Sequence, residues 1–304
     1  PQWLAQTRQT APFLRRRAES KHDVCEAVCS CCSLIEPRFC VLLFGGRVDL
    51  DRKLADLNHS STTPNQGLSM TAGAEPSFRM LHEDDHMCAV VKPNRLLVHR
   101  TDIDFHEPYN LRDLLNKTRN QDAWLQPVHR LDKPTSGIVL FATSRDSLNA
   151  LKLEFVHRRI SKTYFAVVRG WTEDRGVVEK PLPTAHNSTP KQAQTHYRTL
   201  ARVELPHPVG PYETARYSLV ECRPVTGRFH QIRRHFRHLR HPIVGDSKYG
   251  DKKHNRFVAN QTKADSLLLH AGKLKIRHPD GKRTLNLEAR VPHGWNAIFM
   301  QVIF

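Results

Sequence analysis

The sequence predicts an α+β fold, a mixed, mostly antiparallel central sheet with flanking helices. Apolar runs of strand length recur from about residue 80 onward, punctuated by glycine and proline. Only a few stretches carry apolar residues at helical spacing, too few to alternate with strands as a parallel βαβ architecture requires. Two late runs, Leu267 to Ile276 and Thr284 to Val291, flank Asp280-Gly281, a turn signal that folds them into a hairpin.

Taken in order, His86 to Lys92 reads as a strand ended by Pro93, and Leu96 to His99 as a second short one. Tyr109 to Thr118 holds Leu111, Leu114 and Leu115 at helical spacing. Ile138 to Ala142 follows a glycine and is rich in β-branched and aromatic residues, so it reads as a buried strand. Ser144 to Ile160 reads as a helix. Thr143 or Ser144 caps it, Asp146 suits its first turn, and Leu148, Leu151, Phe155 and Val156 give it an apolar face. Lys162 to Gly170, Thr195 to Val203 and Tyr217 to Arg223 read as further strands. Thr226 to Arg240 reads as a helix on which Phe229, Ile232, Phe236 and Leu239 share one buried face.

Residues 1–79 read differently. Apolar periodicity is poor, and Asn58 to Glu75 is dominated by Ser, Thr, Asn, Gly and Pro, which bury too little surface to order themselves. The expectation is a poorly ordered or spurious extension, with the functional domain spanning residues 80–304 from Met80. The rival is a small RNA-binding module, but no basic helix pair supports one. Five of the seven cysteines crowd Cys25 to Cys40 without the paired Cys-x-x-Cys knuckles of a structural zinc site. No secretory pattern accompanies them, so reduced thiols in a cytoplasm are expected.

At 304 residues the chain can bury a large core. Its longest apolar candidate, Phe39 to Phe44, is far too short to span a membrane. Lys and Arg number 47 against 30 Asp and Glu, a net charge of +17. Such an excess favours a polyanionic partner, because each neutralised phosphate releases counterions. No long amphipathic basic helix argues for a membrane surface instead. The expected partner is nucleic acid.

Chemistry concentrates in two stretches. The first is His129-Arg130-Leu131-Asp132-Lys133-Pro134-Thr135-Ser136-Gly137, leading into the strand at Ile138. Asp132 therefore lies on a turn fixed to a core strand, and cations nearby favour a carboxylate's charged form. An Arg-x-Asp alone marks an ordinary surface ion pair. A kinase catalytic loop is excluded, since its aspartate would come one place earlier and neither Gly-x-Gly-x-x-Gly nor Asp-Phe-Gly is present. The second stretch is the Thr226 helix, where Arg228, His230, Arg233, Arg234, Arg237 and His238 surround the apolar stripe. A charge run is usually a solvated face. Arg233, however, adjoins the stripe and can clamp a carboxylate with its planar fork.

The nonapeptide resembles the signature of the RluA-type pseudouridine synthases, in which the aspartate of His-Arg-Leu-Asp is catalytic. Gly227-Arg228-Phe229-His230-Gln231-Ile232-Arg233 is similar to that family's Gly-Arg-x-His-Gln-Ile-Arg, whose last arginine pairs with the aspartate. The resemblance implies that Asp132 carries the reaction, that Arg233 holds it, and that Tyr164 on its strand packs against the target uracil. It implies that Arg130 enters the RNA stack when the uridine leaves. Arg228 to Lys248 form the basic surface that grips phosphate, with His129, His230, Arg237 and Lys248 among the expected RNA contacts. His270 is expected to be structural. Gln194 to Arg198, Val98 to Arg100 and Arg240 to Asp251 resemble a tRNA-modifying branch of the family, which implies uridine 65 in the acceptor–T stem region as target. Ribosomal RNA is the alternative substrate, and a non-catalytic RNA-binding protein the alternative class. The implied reaction is an isomerisation needing no metal or cofactor, by a monomer with no obligate protein partner.

Overall fold

The computed structural model describes residues 75–100, 104–119, 124–183, 189–262, 266–295 and 298–299. The extension expected over residues 1–79, its cysteine cluster included, lies outside these residues up to 74. Met80 itself falls inside the first strand, β1 (Arg79–Glu83), and Phe78 already packs against the core. The expected start at Met80 would therefore cut a strand. β1 pairs antiparallel with β2 (Met87–Lys92), every residue of which is buried.

Leu96 to His99 does not form the expected strand; only Leu97 makes an isolated bridge, to Asn110. The cause is Lys92. Its ammonium is wholly buried and donates to the carbonyls of Pro93 and Leu96 at 2.9 and 2.7 Å, curling the chain through a left-handed Arg95 (φ 63). Helix α1 (Leu111–Thr118) follows, capped by the Asn110 side chain on the Asp113 N–H. A short strand, β3 (Gln126–Pro127), flanks β4 (Ser136–Ala142). Helix α2 (Arg145–Val156) is capped by Ser144 rather than Thr143, and ends four residues earlier than expected. Val156, its last residue, is 72% exposed instead of lying on the apolar face.

The remainder builds the wide half of the sheet. β5 (Ser161–Arg169), β9 (Thr195–Leu205) and β10 (Ala215–Pro224) form antiparallel ladders, with β6 (Arg175–Val178) on the outer edge. β7 (Leu182–Pro183) and β8 (Pro190–Lys191) pair separately. Helices α3 (Gln231–His238) and α4 (Lys252–Thr262) precede the final hairpin of β11 (Leu269–Arg277) and β12 (Thr284–Glu288), which turns through Gly281 at φ +70. The sheet order is β1-β2-β4-β11-β5-β10-β9-β6, with β3 on β4 and β12 on β11. Every described ladder is antiparallel except β4 with β11.

That parallel contact is short, Ser136 with His270 and Gly137 with Ala271, and it sits at the middle of the sheet. Gly137 is required there. Its φ is +119, and a Cβ would stand 2.3 Å from the Ala271 carbonyl oxygen. Across the strands Gly137, Ala271, Tyr164 and Cys222 lie opposite one another in turn. With neighbouring strands about 4.8 Å apart, Tyr164 stands roughly 10 Å from the start of β4. The turn bearing Asp132 leads into the start of β4.

Candidate active site

Asp132 opens a turn closed by the Thr135 N–H on its carbonyl at 2.9 Å. Leu131 just before it is buried in the core, so the backbone is anchored on both sides while the carboxylate stays partly accessible. Lys92 braces this turn from beneath, donating its third hydrogen bond to the Lys133 carbonyl at 3.0 Å. Burial pulls the Lys92 ammonium down to about 7, against the pull of the Asp132 charge. Nothing in sequence marks Lys92 off from any strand-terminal lysine, which explains why only the structure reveals its role. Lys92→Met should leave two buried carbonyls and one part-buried carbonyl without this donor and lower stability by about 3 kcal/mol, at about 1–3 kcal/mol for each buried unsatisfied group. Urea unfolding followed by tryptophan fluorescence would read this as a lower midpoint with unchanged slope.

Helix α3 delivers the opposing cation. It begins five residues later than the sequence pattern suggests, because the Gln231 amide ties the preceding loop to β9. Gln231 accepts from the Arg228 N–H and the Thr226 hydroxyl, and donates to the Gln194 carbonyl and the Thr195 hydroxyl. His230 then turns left-handed (φ 52) before the helix starts. Ile232 and Phe236 still pack into the core with Val220, Cys222 and Leu269, as expected. Phe229 does not: being outside the helix, it is 46% exposed rather than on the buried stripe.

Arg233 is only 4% exposed, and its fork bridges two carboxylates. Nη1 donates to Asp132 Oδ2 at 3.0 Å, which is the pairing expected. Nε and Nη2 donate to Asp246 Oδ2 and Oδ1 at 2.7 and 3.0 Å. Asp246 has no exposed side-chain surface. Burial alone would raise its pKa, but Arg233 and the backbone N–H groups of Tyr249 and Lys248 outweigh it and hold the carboxyl below its ordinary value. For Arg233, burial opposes the charged form, and Asp246 then Asp132 more than compensate. Asp246 thus absorbs two arms of the guanidinium and leaves the third aimed at Asp132. Asp246 follows Gly245, whose φ of +78 and lack of a Cβ let the chain pass the Ser266 carbonyl. Within the Arg240 to Asp251 stretch only that Gly-Asp pairing hints at a buried acid.

His230 completes the group. Its Nε2 lies 3.7 Å from Asp132 Oδ2, too far for a hydrogen bond, and its Nδ1 lies 3.1 Å from the Tyr249 hydroxyl. Burial, assisted by Arg233 and Lys248 and opposed by Asp132, lowers it to about 4, so the ring is neutral at pH 7. Tyr164 packs between two core clusters, and burial and then the Asp132 charge push its phenol upward, keeping it protonated. The structure therefore brings Asp132, Arg233, Tyr164 and His230 together.

Other expected contacts scatter. Arg130, Arg237 and Lys248 are exposed. Arg228 donates to the Gln192 carbonyl at 3.2 Å. His129, expected among the RNA contacts, is half-buried; its ring stacks on Phe155 and its Nε2 accepts the Leu140 N–H at 3.2 Å. Burial lowers its pKa to about 3, and its hydrogen bond ties the start of the turn to β4. His270, expected to be structural, is buried between Ser136 Oγ (2.8 Å) and the Ala289 carbonyl.

A carboxylate aimed by a buried arginine, on a turn leading into the middle of such a sheet, agrees with what residues 86–238 match: the RNA pseudouridylate synthase family. The chain belongs to that family and is an RNA pseudouridine synthase, an isomerase. Among its relatives, tRNA pseudouridine synthase C of Vibrio parahaemolyticus serotype O3:K6 is 39% identical over 236 residues, covering 74% of this chain and 95% of that one. Its counterpart in Pectobacterium carotovorum subsp. carotovorum is 37% identical over 276 residues, covering 86% and 73%. The fold is shared with human RNA Pseudouridylate Synthase Domain Containing 4, at a TM-score of 0.57 and 24% identity over 74% of this chain and 92% of that one.

Proposed function

We propose that the enzyme converts a uridine of tRNA to pseudouridine, that the uridine is number 65 in the acceptor–T stem region, and that Asp132 is the catalytic carboxylate. The observation that carries the site is the Asp132–Arg233–Asp246 bridge, with one arm of a buried guanidinium given to a partly open carboxylate. The relatives named for tRNA support the substrate. The reaction cleaves the bond from ribose C1′ to uracil N1, turns the base, and joins C1′ to C5. The C5 proton leaves to solvent and N1 gains one, so atoms balance without an oxidant or co-reactant. Asp132 either attacks C1′ or removes a C2′ proton to release the base as a glycal. Arg233 keeps it oriented in both routes. The Tyr164 ring gives the extruded uracil an apolar wall, and Arg130, which is exposed, fills the vacated stack with its planar guanidinium.

The enzyme on this reading is a cytoplasmic monomer that grips the RNA backbone with Arg228, Arg237 and Lys248. Among the described residues no helix is long and apolar enough to cross a membrane. With a net charge of +17, binding should weaken steeply as salt rises. Arg237→Ala should reduce the slope of log K against log salt by about 1 if it meets one phosphate. Filter binding across a salt series measures it. An unchanged slope removes Arg237 from the interface. Mapping pseudouridine in tRNA and ribosomal RNA from cells with and without the gene tests the target. Loss confined to ribosomal RNA would select the other substrate.

A further inference from the structure

We infer that Phe229 is a stacking platform for an unpaired nucleobase next to the target uridine. This rests on the reading that Asp132 marks where the uridine reacts. Phe229 occupies a position where the helical spacing calls for a core residue, yet it is among the exposed large hydrophobics. Its display has a local cause, the left-handed His230, a conformation that is uncommon for a residue with a Cβ. The ring lies almost parallel to the His230 imidazole at 3.7 Å, and that imidazole is itself 3.7 Å from the Asp132 carboxylate. The aromatic face is thus one residue removed from the reacting sugar.

Its surroundings suit an anionic, aromatic ligand. The Lys248 ammonium stands 6.0 Å from the Phe229 ring and 5.7 Å from that of Tyr249. Arg228 precedes Phe229 in the chain. An exposed apolar ring with an ammonium beside it matches one nucleotide, base on ring and phosphate on cation. Drawing a uridine out of its stack leaves its neighbours with an uncovered face, and Phe229 offers a cover beside the gap. Tyr164, being packed in the core, is left to the uracil itself.

The test uses a short RNA stem containing the uridine found to be modified in bulk RNA. Its Kd is measured for the full-length protein and for Phe229→Ala, Phe229→Leu and Phe229→Trp, at fixed salt. Phe229→Ala should weaken binding roughly tenfold or more, the usual scale of one base stacked on an aromatic ring. Phe229→Trp should restore it, while Phe229→Leu should not. The same stems carrying an abasic residue on either side of the target should locate the partner. At one position, the difference between wild type and Phe229→Ala should vanish. Equal affinities for wild type and Phe229→Ala, full rescue by Leu, or an alanine effect that persists at every abasic position would each overturn the inference. Asp132→Asn run alongside separates the two readings. If it still forms pseudouridine, the site assignment fails; if it is inactive while Phe229→Ala binds normally, only the platform fails.

Discussion

Arg233→Lys should lower the single-turnover rate of pseudouridine formation by about 100-fold, the scale of an ångström-size misplacement of a catalytic group. The substitution keeps the positive charge but discards the fork. Arg233 now satisfies two carboxylates at once, with Nε and Nη2 on Asp246 and Nη1 on Asp132. A lysine ammonium is a compact point charge on a flexible stem and cannot span both in that geometry. The fully buried Asp246 has the stronger claim on it, because an unpaired buried carboxylate costs more than a partly solvated one. Asp132 is then left without its guide. RNA affinity should stay within about threefold of wild type, since the affinity comes largely from phosphate contacts by other residues. Single-turnover kinetics at saturating enzyme, with Kd measured in parallel, separates the two effects. A fully active lysine variant would mean that Arg233 is not what aims Asp132.

Much of this site could be read in the chain before folding, and the reason is local. Asp132 and the strand at Ile138 lie within a single stretch, so a turn fused to a core strand is visible from spacing alone. Arg233 stood out because it neighbours the apolar Ile232 and Phe236, and both do face the core. Other features depend on distant partners. Asp246 matters through hydrogen bonds from α3 and from its own following turn. Lys92 matters because its Nζ reaches a carbonyl 41 residues away. His129 is held by Phe155 and the Leu140 N–H, neither of them its neighbour in sequence.

The fold shows the same division. Strands with continuous apolar runs, such as β4 and β5, were legible. β1 was not, because Arg79, His82 and Glu83 interrupt its apolar residues and it is only half-buried. Helix α4 escaped notice because only His254 and Val258 of its mostly polar sequence are buried. Helix α3 starts later than its spacing predicts because Phe229 continues the helical pattern while Gln231 takes the chain out of helix upstream.

Asp132→Asn tests the proposal at its centre. The substitution is nearly isosteric, and the turn is held by the backbone bond to Thr135 and by Lys92, neither of which needs the carboxylate. The fold should survive. Arg233 loses one charged partner but keeps Asp246, so the stability cost should be small. RNA binding should persist or tighten, because a negative charge close to phosphate has gone. Catalysis should not persist, since neither attack on C1′ nor removal of the C2′ proton is open to an amide. The decisive measurement is tritium release from C5 when the purified variant meets tRNA labelled at that position. The expected result is release at the rate of RNA alone. Turnover within about tenfold of wild type, a barrier change of only about 1.4 kcal/mol, would contradict the assignment of Asp132.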